Sequence, residues 1–148
     1  MRTRILETSM NAREVTGGRE FVVRLDPGSE WRTELETLAA TEDITAAWFT
    51  GLGAVQDAEL WYYDQDDFEY TAAEFDEPLE VAACVGNIAT LDGEPFAHTH
   101  ATLSRRSGQA LAGHLERATV FAGELYVREL DADLVREHDA ATDLDRWL

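Results

Sequence analysis

The sequence predicts an α+β domain in which one helix packs against a mainly antiparallel β-sheet. Two observations lead to this fold class. A single segment repeats its apolar residues at helical spacing, and most of the remaining chain consists of runs rich in β-branched and aromatic residues. With 148 residues, the chain is long enough to bury one core and too short for two comfortable domains.

The first strand and the helix are predicted near the start of the chain. Arg19–Leu25 is rich in β-branched residues, which is typical of a strand, and the Asp-Pro-Gly-Ser turn after it ends the strand. Apolar side chains then recur at helical spacing, so we expect a helix over Glu30–Thr41. Ser29 is the expected N-cap, because its hydroxyl can accept from the free backbone N–H groups of the first turn.

The middle of the chain is predicted to be extended. Residues 44–64 carry two extended runs, broken at Gly51 and Gly53, where glycine permits a bulge or a close backbone approach. The dipeptide Asp92-Gly93 predicts a tight hairpin turn. Strands are expected before and after these features, at 68–75, 79–91 and 94–103.

The last predicted strand covers 118–130 and has two distinct faces. We expect Phe121, Leu125 and Val127 to face the core, with the polar residues between them facing solvent. The acidic tail that follows, 131–148, ends in Trp147 and Leu148. Burying such an aromatic ring is worth on the order of 2–3 kcal/mol. The tail is therefore expected to dock on its own subunit or on a neighbouring one.

The chain is strongly acidic. It has 30 acidic residues against 12 basic ones, every one of them an arginine, and its formal net charge is −18 at pH 7. Acid spread over the whole sequence is typical of a surface adapted to molar salt, where the Debye length falls to roughly 3 Å. We therefore expect a halophilic protein, from a haloarchaeal-like organism. The alternative is an acidic face for a basic partner.

Several function classes find no support in the sequence. No segment approaches the roughly 18 apolar residues of a membrane span, and the start lacks the apolar stretch of a signal peptide, so we expect a cytoplasmic protein without membrane contact. There is also no P-loop, no dinucleotide-binding glycine pattern and no serine-hydrolase elbow.

Three of the four histidines lie close together, at positions 98, 100 and 114. Side chains at i and i+2 of a strand point to the same side, about 6–7 Å apart, so His98 and His100 can reach one metal ion. The turn expected at 104–108 can return His114 to the same place. Three neutral imidazoles around an open position are typical of reactive zinc sites. A hydrogen-bonded polar cluster and unrelated surface histidines remain alternatives; His138, in the tail, is expected to be exposed.

The order of motifs in the chain resembles the plants-and-prokaryotes-conserved (PPC) domain family. These motifs are G-N-I-A at 86–89, D-G-x-P at 92–95, H-x-H at 98–100 and G-H-L at 113–115. The likeness covers about Gly18 to Leu130. It divides the chain into a lead-in (1–17), a PPC-like domain (18–130) and the acidic tail (131–148).

The resemblance implies a twisted, mainly antiparallel sheet with one main helix, assembled as a homotrimer. It also implies that His98, His100 and His114 form a site for a divalent metal, with zinc the first choice. The family is described as DNA-binding and gene-regulatory. DNA and regulatory proteins are therefore the partners that the resemblance implies, besides the chain's own copies.

The chain departs from this description in its charge. It has no basic arm of the AT-hook type, and Arg105-Arg106 is its only adjacent basic pair. Because contacts between basic side chains and phosphates supply most non-specific DNA affinity, we expect contacts with proteins in place of direct DNA binding. Two alternatives stay open. One is a metal-dependent hydrolase or lyase that uses metal-bound water or a metal-polarised carbonyl, with no catalytic residue identified; the other is a structural assembly module.

Overall fold

Antiparallel strand pairing dominates the computed structural model, which describes residues 3, 4 and 9–147. In this part of the chain there are ten strands and one helix. In chain order they are β1 (Thr3–Arg4), β2 (Ala12–Arg13), β3 (Gly17–Leu25), α1 (Trp31–Thr41), β4 (Ala47–Asp64), β5 (Glu69–Phe75), β6 (Leu79–Leu91), β7 (Glu94–Ser104), β8 (Ala110–Leu130), β9 (Glu137–Asp139) and β10 (Leu144–Arg146). The predicted fold class, a mainly antiparallel sheet with one main helix, is confirmed.

The main sheet has six strands in the order β3-β8-β7-β6-β4-β5. Its longest strand, β8, has 21 residues and pairs with β7 near its start and with β4 along most of its length. Since β4 also pairs with β6, and β6 with β7, the four strands β4, β6, β7 and β8 close into a ring. Ring closure brings the first part of β8 against the H-x-H segment of β7.

The core lies between helix α1 and one face of this sheet. The helix packs on β7 and β8, and its inward side chains include Trp31 and Leu35, which are fully buried. Phe49, Ile88 and Leu103 supply the largest buried side chains of β4, β6 and β7. The near-continuous apolar sequence of β6 fits its central position between β4 and β7.

The helix begins one residue later than predicted, and its N-cap is Glu30 instead of Ser29. The Glu30 carboxylate accepts from the backbone N–H groups of Arg32 and Thr33, at 3.2 and 2.7 Å. It also accepts from the N–H of Ala118 on β8, at 3.2 Å. The Ser29 hydroxyl donates to the Asp26 carbonyl. A longer acidic side chain therefore both caps the helix and links it to the sheet.

The glycines near position 50 do not break the chain into two strands. Strand β4 runs without interruption from Ala47 to Asp64; at the two glycines its register to β6 shifts, between Gly51 and Gly53. Gly53 has φ +152°, and a side chain there would overlap the Ala122 carbonyl of β8. The predicted close backbone approach is present, and the predicted break was wrong. The Asp92-Gly93 turn joins β6 to β7 as predicted, with φ values of +50° and +83°.

Phe121 faces solvent, which contradicts the prediction that it belongs to the core. Its side chain is 61% exposed, whereas Leu125 and Val127 are buried as expected. The register between β4 and β8 changes here, because Ala54 pairs with Ala122 and the next residue, Val55, pairs with Val120. This bulge places Val120 in the core and reverses the side-chain alternation at Phe121.

The tail folds back over the sheet in the described part of the chain. β9 and β10 form a short hairpin, and the Tyr63 hydroxyl donates to the Thr142 carbonyl at 2.6 Å. The Trp147 ring stacks on Trp48, with ring centroids 6.2 Å apart. His138 is exposed at the hairpin, as expected. Helix α1 falls short of the length and apolar character that crossing a membrane requires, and no other helix occurs among the described residues.

Candidate metal centre

His98, His100 and His114 meet on the face of the sheet that is opposite the helix. Alternation along β7 sends Ala97, Thr99 and Ala101 into the core and the two histidines to the other side. Strand β8 places His114 directly opposite His100 in the antiparallel register. The sequence pattern predicted the same-face pair, and the β7–β8 pairing explains how the third histidine joins it.

The three imidazole rings are close enough to share one small ion. Their centroids are 5.1 Å apart for His98 and His100, 5.5 Å for His98 and His114, and 5.7 Å for His100 and His114. One nitrogen from each ring lies within 4.8 Å of the other two. Nitrogens bound to one tetrahedral zinc ion are roughly 3.4 Å apart, so small side-chain rotations would bring the three nitrogens to the separation that zinc requires.

The environment favours the neutral form of all three rings. Burial lowers the pKa of His98 to about 4, and the Arg136 guanidinium adds to this effect. Burial also lowers the pKa of His100 and of His114; for His114, a hydrogen bond with Glu116 partly offsets the change. A neutral imidazole offers a lone pair without first losing a proton, which is the state that a metal requires.

Glu116 and Arg32 connect His114 to the helix. His114 Nε2 lies 3.2 Å from Glu116 Oε2, and Arg32 Nη1 donates to the same oxygen at 3.3 Å. Arg32 is buried and also donates through Nε to the Ala97 carbonyl on β7, at 2.8 Å. A carboxylate that accepts from one nitrogen of an imidazole fixes the tautomer and leaves the other nitrogen free to bind a metal.

The remaining nitrogen of His114 fits such a role. His114 Nδ1 is buried and has no hydrogen-bond partner among the described residues. Leaving a buried polar atom unpaired costs about 1–3 kcal/mol, so a ligand bound to this nitrogen would remove that cost. The donor set and this unpaired nitrogen together fit a divalent metal ion.

Arg136, from the tail, reaches the same cluster. Its Nη2 donates to Asn87 Oδ1 at 2.6 Å and lies 3.2 Å from His98 Nδ1, while Nη1 donates to the Asp145 carbonyl at 3.1 Å. Its guanidinium also lies over the Phe96 ring, 5.5 Å from the centroid. Sequence reasoning missed both Arg136 and Glu116.

A cavity of about 940 Å³ opens beside the histidines. Aromatic side chains form much of its wall, and the Trp61 ring stacks on His114 with centroids 6.0 Å apart. The tail hairpin contributes Arg136 and Trp147. The aromatic residues of the wall are Trp61, Tyr62, Tyr63, Tyr70, Phe96 and Trp147. The cluster therefore borders a partly enclosed space.

Other polar residues that the sequence analysis considered lie outside this site. Arg105 pairs with Glu77 at 2.6 Å and stacks over Phe75, so its charge is already used. Arg106 and Glu94 are exposed, and neither contributes to the cavity wall.

Comparisons with known proteins agree with the resemblance in the motifs. Residues 12–131 match the Plants and Prokaryotes Conserved (PCC) domain. A metal-containing protein from Archaeoglobus fulgidus is 37% identical, with a TM-score of 0.90 over 94% of this chain and 99% of its own. A plant- and prokaryote-conserved protein from Pyrococcus horikoshii is 27% identical, with a TM-score of 0.88 over 94% and 97%. A candidate DNA-binding protein from Ralstonia eutropha is also 27% identical, with a TM-score of 0.77 over 85% and 88%.

No match is found among the curated proteins. The domain match nevertheless covers most of the chain, and the structural likeness extends over nearly the whole of it. The chain therefore belongs to the Plants and Prokaryotes Conserved (PCC) domain family, which is the PPC family that its motifs resemble.

Proposed function

We propose that the protein binds one divalent metal ion through His98, His100 and His114. Zinc is the proposed metal, because it prefers nitrogen ligands. The observation that carries this proposal is the cluster of three imidazoles with the buried, unpaired Nδ1 of His114. The likeness to a metal-containing protein supports it. When bound in such a site, zinc acts as a Lewis acid or lowers the pKa of a bound water to about 7.

The surrounding residues have distinct parts in this proposal. Glu116 holds the His114 ring through Nε2, and Arg32 holds Glu116, so the ligand is oriented before the metal arrives. The aromatic wall lowers the access of water to the cluster. Arg136 supplies a fixed positive charge on the His98 side of the cavity.

Metal content of the purified protein tests the proposal. Protein that has been equilibrated with zinc and then freed of unbound metal should retain close to one zinc per chain, and His98→Ala should lose most of it. His138→Ala is the matched control, because this histidine is exposed in the tail hairpin. Equal metal content and equal melting temperature in wild type and His98→Ala would favour a structural assembly module and contradict a metal site.

A homotrimer is the proposed assembly. Its support is a row of exposed apolar side chains on the face of the sheet opposite the helix. Val22 is 92% exposed and lies opposite Tyr126, and Val85 lies opposite His100. The other exposed apolar residues of this face are Trp48 and Leu52. A contiguous apolar patch of this kind is typical of an interface.

Light scattering after gel filtration tests the assembly. Three chains of 16.6 kDa give a particle of about 50 kDa. Val22→Asp should shift the mass toward one chain, whereas Phe68→Asp, in the β4–β5 turn, should leave it unchanged. A wild-type mass of one chain at micromolar concentration would contradict the trimer.

Direct binding to DNA is not part of the proposal. A charge of −18 repels phosphates, and the basic residue Arg105 is neutralised by Glu77. A regulatory role would then proceed through contacts with other proteins. A gel-shift series at low salt tests this point, with no mobility change expected for any duplex; a retarded band at micromolar protein would contradict it.

A metal-dependent hydrolase or lyase is a second candidate. The observation that favours it is the cavity of about 940 Å³ beside the histidines, because an open metal position there would face a partly enclosed space.

A further inference from the structure

Arg136 is an unusual residue for so acidic a chain, because it is a buried cation that hydrogen-bonds to no carboxylate among the described residues, although the charge of Asp145 acts on it from farther away. Arg136 is 8% exposed, and its guanidinium forms no ion pair with any residue of 9–147. Its hydrogen bonds go to neutral acceptors on Asn87, Asp145 and His98, and its Nε is buried without a partner. A guanidinium has five N–H donors, so this one retains unused capacity.

Metal binding at His98 would remove one of the acceptors of Arg136. A neutral imidazole has one ring nitrogen with a lone pair and one that carries a proton. Once the lone pair is given to a metal, neither nitrogen can accept from Arg136 Nη2, which lies 3.2 Å from His98 Nδ1. One N–H of Nη2 then lacks an acceptor next to the metal, while the other keeps Asn87 Oδ1. An anionic oxygen is the group that best replaces the lost acceptor.

The residues that line the cavity also determine which kind of anion it can bind. Glu116 is already paired with Arg32, and the side chains of Asp143 and Asp145 contact His138 at 3.2 and 3.7 Å, so none of the three forms an ion pair with Arg136. The wall contains the aromatic rings of Trp61 and Tyr70. Such surfaces favour flat, apolar groups and do not suit a small inorganic ion alone.

We propose that the cavity binds a small organic carboxylate with a flat apolar body, whose carboxylate pairs with Arg136 beside the metal and whose body contacts the aromatic wall. This inference rests on the proposed metal site. Because metal binding takes an acceptor from Arg136 and the carboxylate replaces it, each ligand increases the affinity of the other, and the coupling is reciprocal.

Calorimetric titration of the full chain with benzoate tests the inference, with benzamide as the neutral compound of the same shape. On zinc-loaded wild type, benzoate binds at least about tenfold more tightly than benzamide, as expected for a charge-assisted pair. Arg136→Gln removes this preference. Arg13→Gln is the matched control: Arg13 also contacts the tail, through the Asp133 carbonyl, and also has a buried unpaired Nε, but it lies outside the cavity.

Zinc binding is measured separately in each variant, so that the two proposals fail in different ways. Wild type that binds no zinc overturns the metal site and this inference together. Wild type that binds zinc but does not prefer benzoate, or Arg136→Gln that keeps the preference, overturns the inference alone. If Arg136→Gln does not fold, wild type decides: without zinc its affinity for benzoate falls at least about tenfold, and an unchanged affinity contradicts the coupling.

Discussion

Glu116 is the residue that orients His114, and its effect on metal binding can be measured. Glu116→Gln keeps the shape of the side chain and removes the charge that holds the Nε2 proton of His114. We expect zinc affinity to fall by about 10- to 100-fold, the usual effect of losing such a partner. Competition with a chromogenic chelator measures it. Glu124→Gln, exposed on the same strand, should change the affinity less than about twofold; equal losses in both variants would rule out the orienting role.

The partly buried His98 should make the metal-free protein sensitive to acid. The pKa of His98 is about 4 in the folded chain and about 6.5 when exposed, because burial disfavours the charged ring. Below pH 6.5 the unfolded state therefore binds more protons than the folded state, and stability falls as the pH is lowered toward 4. In a chelator, the urea midpoint of wild type should drop more between pH 7.5 and 5 than that of His98→Gln. An equal drop of the urea midpoint in both proteins would contradict the lowered pKa of His98.

The residues of the site differ in how far sequence reasoning could find them. His98 and His100 share a face by simple alternation, and the motif resemblance adds His114. Glu116 stands two positions after His114 in the same strand, so its place on the same side could have been predicted. Arg136 could not, because it reaches His98 only through the packing of the tail against the sheet.

Among the elements, helix α1 depends on the Glu30 carboxylate at its start. This group accepts from two helical N–H groups and from Ala118 of β8. Glu30→Ala should therefore lower the free energy of unfolding by about 1–2 kcal/mol. Ser29→Ala, which removes only an exposed bond to the Asp26 carbonyl, should cost less than about 0.5 kcal/mol. Urea unfolding compares the two, and a larger loss for Ser29→Ala would restore Ser29 as the cap.

The strands illustrate where periodicity is a sufficient guide and where it is not. Alternation and β-branched composition identify the strands, because each buries one face. The bulge near Phe121 is different, since it depends on how β8 meets β4, whose paired residues there lie more than 60 positions apart in sequence (Ala54 with Ala122, Val55 with Val120). Local sequence therefore predicted the strand but placed Phe121 on the wrong face.

On the scale of the whole molecule, the negative charge should make stability depend on salt. A formal charge of −18 on one small domain produces repulsion that unfolding relieves, and salt screens it. We expect the melting temperature to rise when KCl is increased from 0.1 to 2 M. Differential scanning calorimetry measures this, with chloride preferred to sulfate because sulfate also stabilises by exclusion from the surface. A constant or lower melting temperature would contradict a salt-adapted surface.

The closure of β4, β6, β7 and β8 into a ring is the feature of the whole fold on which the site depends. Ring closure sets β8 beside β7, with His114 opposite His100, and the tail then covers the open side. The fold class followed from local patterns, but this closure is a long-range property that neither those patterns nor the motif resemblance predicted.

Anomalous diffraction from crystals grown with zinc tests the central claim most directly. Difference maps from data collected on either side of the zinc absorption edge should show one peak, about 2.0–2.1 Å from one nitrogen each of His98, His100 and His114. For His114 that nitrogen should be Nδ1, with Nε2 still bonded to Glu116. No peak at the three rings, or a peak bound by fewer than three of them, would contradict the metal centre.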